Sequence, residues 1–204
     1  MGLYADFIHP NLCHWVMRSR RFDPYRERIA GAARGHVLEI GIGSGINLPF
    51  YRGGVCSIAG IEPSMRLIAL ARRLGPASPL RAALIQGSAE LIPLDDKSID
   101  TIVSTFTLCS ISKVLAALAE MRRVLKPEGR LLFLEHGLAP DRNVRRWQVL
   151  LEPAWKRAAG GCEISRPIDR LIRDAGFKFD RLETGYMPGP KPLAFLYQGS
   201  AKPY

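Results

Sequence analysis

Short runs of apolar and β-branched residues alternate along the chain with stretches whose apolar positions recur every three or four residues. The runs Val37–Ile40, Ser57–Ile61, Leu84–Gln86, Ile99–Ser104 and Arg130–His136 read as strands, and their near-continuous apolar character suits a sheet buried on both faces. Between them lie helical patterns. Residues from about Asn11 to Ala33 form a helical preface in which Leu12, Trp15 and Val16, then Phe22, Tyr25 and Ile29, share one side. Asp23-Pro24 divides it, with Asp23 expected as cap and Pro24 at the first position of the second helix. Asn47–Tyr51 is expected to carry a short helix, and Met65–Leu74 a longer one capped by Ser64, with Leu67, Ile68 and Ala71 inward. Lys113–Leu125 is amphipathic, with Val114, Leu115, Leu118, Met121, Val124 and Leu125 on its apolar side, and Lys126-Pro127-Glu128-Gly129 ends it. A last helix near Pro167–Ala175, capped by Ser165 and stopped by Gly176, precedes strands at Phe177–Thr184 and Ala194–Gln198. Strands alternating with helices make an α/β sheet.

The chemistry enters where the first strand ends. Glu39-Ile40-Gly41-Ile42-Gly43-Ser44-Gly45 sets three glycines at alternate positions, which lets the chain turn off the strand tip and bares backbone N–H groups to a ligand. The dinucleotide pattern G-x-G-x-x-G fails, because the residue five after Gly41 is Ile46. Glu62, at the end of the second strand, stands where a carboxylate can accept both hydroxyls of a ribose. Together these features resemble the S-adenosylmethionine (SAM) site of class I methyltransferases. Two later runs are similar to the methyltransferase type 11 domain: Gly87-Ser88-Ala89-Glu90-Leu91-Ile92-Pro93, and Arg122-Arg123-Val124-Leu125-Lys126-Pro127-Glu128-Gly129 before an apolar strand. Ser88 stands where many members have aspartate, and a neutral hydroxyl bonds an exocyclic amine more weakly than a carboxylate does.

The resemblance implies a Rossmann-like class I methyltransferase fold, with a seven-stranded, mostly parallel sheet, an antiparallel last strand and helices on both faces. SAM is the implied cofactor. Its implied contacts are Glu39, Gly41, Gly43, Gly45, Asn47, Glu62, Pro63, Met65, Gly87, Ser88, Ala89, Glu90, Thr105 and Thr107. Asn47 would hold the amino-acid end or cap a helix, and Met65 would lie on the adenine or fill the core. His136, at a strand tip, is the candidate to orient the acceptor or take its proton, against a plain structural role. Tyr4, His9 and Cys109 are candidate acceptor contacts, and the loop Met187–Pro192 is expected to border the acceptor pocket.

Beyond Gly137, Trp147–Trp155 and Gly161–Arg166, with the earlier Phe22-Asp23-Pro24-Tyr25 and Asn47-Leu48-Pro49-Phe50-Tyr51, are similar to the small methyltransferase-like alkyl-thiol methyltransferases. Those relatives carry an apolar N-terminal anchor that this sequence does not show, so membrane residence is not expected to carry over. One domain over residues 1–204 is expected: a helical cap over 1–34, a SAM-binding core over 35–137, and substrate-side helices with a final hairpin over 138–204.

The charge and the cysteines add limits. The net charge is +10 over 204 residues, concentrated at Arg18, Arg20, Arg21, Arg26 and Arg28 and at Arg142, Arg145, Arg146, Lys156 and Arg157. Such patches attract phosphates, which leaves peripheral membrane contact open; no RNA-binding signature accompanies them, so nucleic acid is not the expected partner. The four cysteines form no C-x-x-C pair and the four histidines no metal spacing, so reduced thiols, no bound metal and a cytoplasmic location are expected. Methyl transfer to a small acceptor, a thiol foremost, is the expected function. The alternatives are a phospholipid head group or quinone methylated at a membrane surface, a non-catalytic SAM-binding protein, and a methyltransferase of RNA.

Overall fold

The computed structural model describes residues 9–74 and 82–204, without the side chains of His9 and Leu74. Its elements are α1 (His9–Met17), α2 (Asp23–Ala30), β1 (Gly35–Ile40), β2 (Val55–Glu62), α3 (Met65–Leu74), β3 (Ala82–Gln86), β4 (Ile99–Thr105), α4 (Val114–Val124), β5 (Leu125–His136), α5 (Arg142–Ala158), α6 (Ile168–Asp174), β6 (Phe177–Tyr186), α7 (Lys191–Ala194) and β7 (Phe195–Pro203). Short 3-10 turns at Arg20–Phe22 and Leu48–Phe50 complete the path. The seven strands form one sheet in the order β3-β2-β1-β4-β5-β7-β6. Every pairing is parallel except those of β7, which runs antiparallel to β5 and β6. The architecture expected from the sequence is therefore the one found.

Apolar side chains are buried on both faces of this sheet, as its near-continuous apolar strands require. One face packs Leu38, Ile40, Ile102 and Phe133 with Leu118 and Met121 of α4 and Ile172 of α6. The other packs Val37, Ile58, Val103 and Leu134 with Ile29 and Ala30 of α2. The strand order reverses beside β1, where β2 lies on one side and β4 on the other, and a crevice opens there at the carboxyl ends of the strands.

Several local expectations are corrected. Asp23 makes no capping bond; it lies inside the first turn of α2, whose N-cap is Phe22. Ser165 does not cap α6, because its hydroxyl and N–H both bond the Glu152 carboxylate, at 2.7 and 2.8 Å. Leu115 faces solvent, and Ala117 takes its place against the sheet. The turn Lys126–Gly129 belongs to β5, where the register jumps from Ile99↔Leu125 to Thr101↔Arg130. Helix α5, for which the sequence offered only a resemblance, runs 17 residues with Pro153 inside it.

Candidate active site

A cavity of about 950 Å³ fills the crevice. Its floor is the glycine turn. Gly41 has φ +64°, and a Cβ there would lie 2.5 Å from Thr107 Oγ1, so only glycine lets the turn pass under the β4 exit. Gly43, at φ +57°, is free for another reason: a Cβ there would meet nothing closer than Gly41 O at 3.8 Å and would stand in the cavity. Gly45 does not line the cavity; its missing Cβ makes room for Leu48 and Ala71 instead.

Two buried carboxylates frame the turn. Glu62 accepts the Gly43 N–H at 3.1 Å and the Ser64 N–H at 2.9 Å, and burial raises its pKa. Glu39 accepts from Asn47 Nδ2 at 2.7 Å and the Tyr51 hydroxyl at 2.8 Å, and burial pushes its pKa up to about 7. Asn47 also donates to Thr105 Oγ1 at 2.8 Å, makes no side-chain capping bond, and leaves its Oδ1 buried without a partner among the described residues.

Of the fourteen residues read as cofactor contacts, all but Gly45 and Met65 line this cavity. Met65 is 52% exposed on the outer side of α3, and Leu67 faces the cavity in its place. Ser88 and Glu90 hold each other, with the Ser88 hydroxyl 2.9 Å from Glu90 Oε2, while Glu90 Oε1 accepts the Lys113 N–H at 2.9 Å. Glu90 thus braces the loop against the start of α4. Thr107 donates its N–H to Glu135 Oε1 at 3.1 Å.

The acceptor side is set by three strand and helix exits. His136 lies at the β5 tip with its ring 4.8 Å from that of Phe106, a non-glycine residue held at φ +54°. Its Nδ1 is 4.0 Å from Cys162 Sγ, which is 3.5 Å from Cys109 Sγ. Trp155 and Leu193 pack on the two cysteines, and of the loop Met187–Pro192 the residues Met187–Pro190 line the cavity. Helix α1 crosses the mouth: Leu12 and Val16 line the cavity, and His14 Nδ1 lies 2.6 Å from Ser44 Oγ on the glycine turn. Tyr4 and the His9 side chain lie outside the described residues.

Sequence reasoning missed two charged residues. Arg26, counted there among surface arginines, is 2% exposed and lines the cavity. Its Nε and Nη1 have no hydrogen bond among the described residues, its ion pair with Asp23 is long at 3.9 Å, and burial lowers its pKa to about 10. The signal was its position on the apolar side shared by Phe22 and Ile29. Glu135 is fully buried, and its carboxylate accepts Ser104 Oγ and the N–H groups of Thr107 and Cys109, fixing the β4 exit. An acid ending the apolar run Leu131–Leu134 was the available clue.

Residues 38–133 match the methyltransferase domain family. A thiol S-methyltransferase of Rattus norvegicus, TMT1B, is 33% identical over 158 residues, covering 76% of this chain. Over residues 38–133 the chain therefore carries a methyltransferase domain. It spans 64% of the length of that curated relative. A phosphatidylethanolamine N-methyltransferase of Cereibacter sphaeroides is 32% identical over 111 residues, covering 52% of each chain. Among solved structures, a SAM-dependent methyltransferase of Thermotoga maritima, described as a possible histamine N-methyltransferase, superposes with a TM-score of 0.70 at 22% identity. That match covers 99% of this chain and 98% of the other.

A methyltransferase domain implies SAM as its cofactor, and the residues present fit it. The space over Gly43 is one that any side chain would fill. Arg26 offers two unpaired donors of the sort a carboxylate takes, and Asn47 Oδ1 an unpaired acceptor for an ammonium. Glu62 retains acceptor capacity for ribose hydroxyls beyond its two backbone bonds. A second cavity, of about 620 Å³, lies at the opposite edge of the sheet, away from the carboxyl ends of the strands.

Proposed function

We propose that this protein is a SAM-dependent methyltransferase whose acceptor is a small thiol. The observation that carries the reading is one continuous cavity joining the glycine turn and Glu62 to a wall of Phe106, His136, Cys109, Cys162 and Trp155. Among the described residues that wall offers an imidazole, two thiols and aromatic surface but no carboxylate, which suits a soft, weakly hydrated nucleophile better than an ammonium. The likeness to a thiol S-methyltransferase supports the same acceptor.

The bound cofactor supplies an activated methyl on a positively charged sulfur, so the chain's task is alignment. Glu62, the glycine turn, Asn47 and Arg26 hold the donor; Phe106 and Trp155 shape the path of the acceptor; α1 and the Met187–Pro190 loop keep water out. Alignment of this kind contributes about 7–11 kcal/mol in well-oriented systems. A thiol acceptor must lose its proton, and His136 is the imidazole on the acceptor wall that can take it. Calorimetric titration with SAM and methylation of a panel of thiols, amines and phenols test the reading. Measurable binding and a methylated thiol are expected, with affinity reduced more than about tenfold in a folded Gly43→Val protein. Absence of SAM binding removes the proposal.

A second reading, methylation of a lipid or quinone head group at a bilayer, draws on the outer face of α5. Trp147, Leu150 and Leu151 are exposed there among Arg142, Arg146 and Arg157, the pattern of an interfacial helix. No helix among the described residues is long and apolar enough to cross a membrane. Co-sedimentation with anionic vesicles together with methylation of vesicle lipid favours this reading; a protein that stays in the supernatant removes it.

A further inference from the structure

Cys109, His136 and Cys162 come from three different places: the β4 exit, the β5 tip and the turn after α5. Their spacing in sequence gives no metal signature; the fold alone assembles them. Their ligand atoms all lie within 4.8 Å of one another, with 3.5 Å between the two sulfurs and 4.0 Å between Cys162 Sγ and His136 Nδ1. In a tetrahedral zinc site, bond lengths of about 2.3 Å to sulfur and 2.0–2.1 Å to nitrogen put neighbouring ligand atoms about 3.5–3.8 Å apart. Only a few tenths of an ångström separate the two measured edges from that arrangement.

We propose that Cys109, His136 and Cys162 bind one Zn2+ ion whose fourth position opens into the acceptor side of the cavity. Two further features support it. The backbone at both cysteines is fixed before any ion arrives, because Cys109 donates its N–H to Glu135 and its carbonyl accepts the Glu163 N–H at 2.8 Å. Finally, charge balances. Two thiolates and one neutral imidazole around a divalent cation make a neutral centre, which suits a pocket walled by Ile164, Trp155 and Leu193.

The consequence for the reaction rests on the thiol reading above. An acceptor thiol taking the fourth position loses its proton to solvent and remains there as a thiolate, held by the metal as Lewis acid. Its sulfur then forms a bond to the methyl carbon as the carbon–sulfonium bond breaks, and that bond's electron pair stays on the departing sulfur. The metal thus does the work that His136 would otherwise do alone, and His136 becomes a ligand.

The test uses the full chain, reduced with a phosphine, stripped with a chelator and titrated with Co2+ as a spectroscopic substitute. One equivalent is expected to produce the visible bands of tetrahedral Co2+ and a thiolate charge-transfer band. Zn2+ should displace it, and an added small thiol should shift the visible bands. Cys109→Ser and Cys162→Ser should lose the charge-transfer intensity while Cys13→Ser keeps it, with circular dichroism confirming that each protein is folded. Absence of tetrahedral bands in the reduced parent protein overturns the site, as does their persistence in both serine variants. Thiol methylation that survives full chelation without a Co2+ spectrum overturns the site and leaves the thiol reading standing. A saturated Co2+ site in a protein that binds SAM but methylates no thiol does the reverse.

Discussion

Arg26 lies between Phe22 and Ile29 on the inner side of the N-terminal helices, its guanidinium 5.3 Å from the Phe22 ring, and among the described residues no hydrogen bond to its Nε or Nη1 offsets the desolvation cost there. An unsatisfied buried polar group costs about 1–3 kcal/mol, so in the unliganded protein this residue works against stability. Its position is explained by what it does for a carboxylate entering the cavity, since a charge-assisted hydrogen bond contributes about 1.5–3 kcal/mol. Arg26→Met is therefore expected to raise the melting temperature of the free protein by a few degrees, on the scale of about 2–4 °C per kcal/mol for a chain of this size. The same variant is expected to bind SAM roughly ten- to a hundredfold more weakly. Thermal unfolding with and without SAM measures both effects. A variant that is less stable when free, or that binds SAM as tightly as the parent, contradicts the role. Arg26→Lys should fall between the two, because it keeps the charge but not the planar fork.

Helix α5 carries one fully buried polar side chain that ties it to the rest of the fold. Gln148, fully buried, donates Nε2 to the carbonyls of Gly137, Ile164 and Pro192 at 3.0, 2.9 and 3.2 Å, and accepts the Ala139 N–H at 2.9 Å. It thereby joins the β5 exit, the turn that carries Cys162 and helix α7. Gln148→Leu conserves bulk but leaves several backbone groups buried without partners, an expected loss of at least about 3 kcal/mol. A melting temperature lowered by roughly 6–12 °C is the outcome to look for, and an unchanged one would mean that apolar packing alone docks the helix. Nothing in the sequence marked Gln148, because its four partners are backbone groups brought together from distant segments. The strands and the glycine turn were legible for the opposite reason: apolar runs and alternate glycines are local patterns that report local geometry. The same contrast explains the site. Glu62 and Gly43 were found by their spacing, whereas Arg26, Glu135 and the pairing of Cys109 with Cys162 depend on convergence, and Met65 was misplaced by a question of helix phase.

The distribution of carboxylates over the protein gives its stability a pH dependence of definite sign. Glu39, Glu62 and Glu135 are buried around the cavity, and burial raises the pKa of each. Glu120, Glu163 and Asp100, on the outside, are held below the ordinary range by Arg123, by Lys156 with Arg166, and by Lys126. An acid whose pKa is raised on folding binds its proton more tightly in the folded state. For Glu39, at about 7 against an ordinary 4.5, stability is greatest below the lower value and falls as pH rises through the window between them. At about 1.36 kcal/mol per pH unit, its share amounts to roughly 3 kcal/mol across that window. The outer carboxylates act oppositely and lower down, since their contribution disappears as pH falls below the ordinary carboxylate range. The two trends place the optimum near pH 5, below neutrality. Thermal unfolding measured from pH 4 to 8 should show a maximum near that point and a decline toward pH 7.5. Glu39→Gln should flatten the decline without moving the acid limb. A parent protein whose melting temperature is level or rising between pH 5 and 7.5 would mean that Glu39 is ionised at no cost in its pocket, with Arg26 acting as its full counter-ion. Arg26 would then have no unspent charge to offer the cofactor, so this one curve bears on the binding site as well as on the fold.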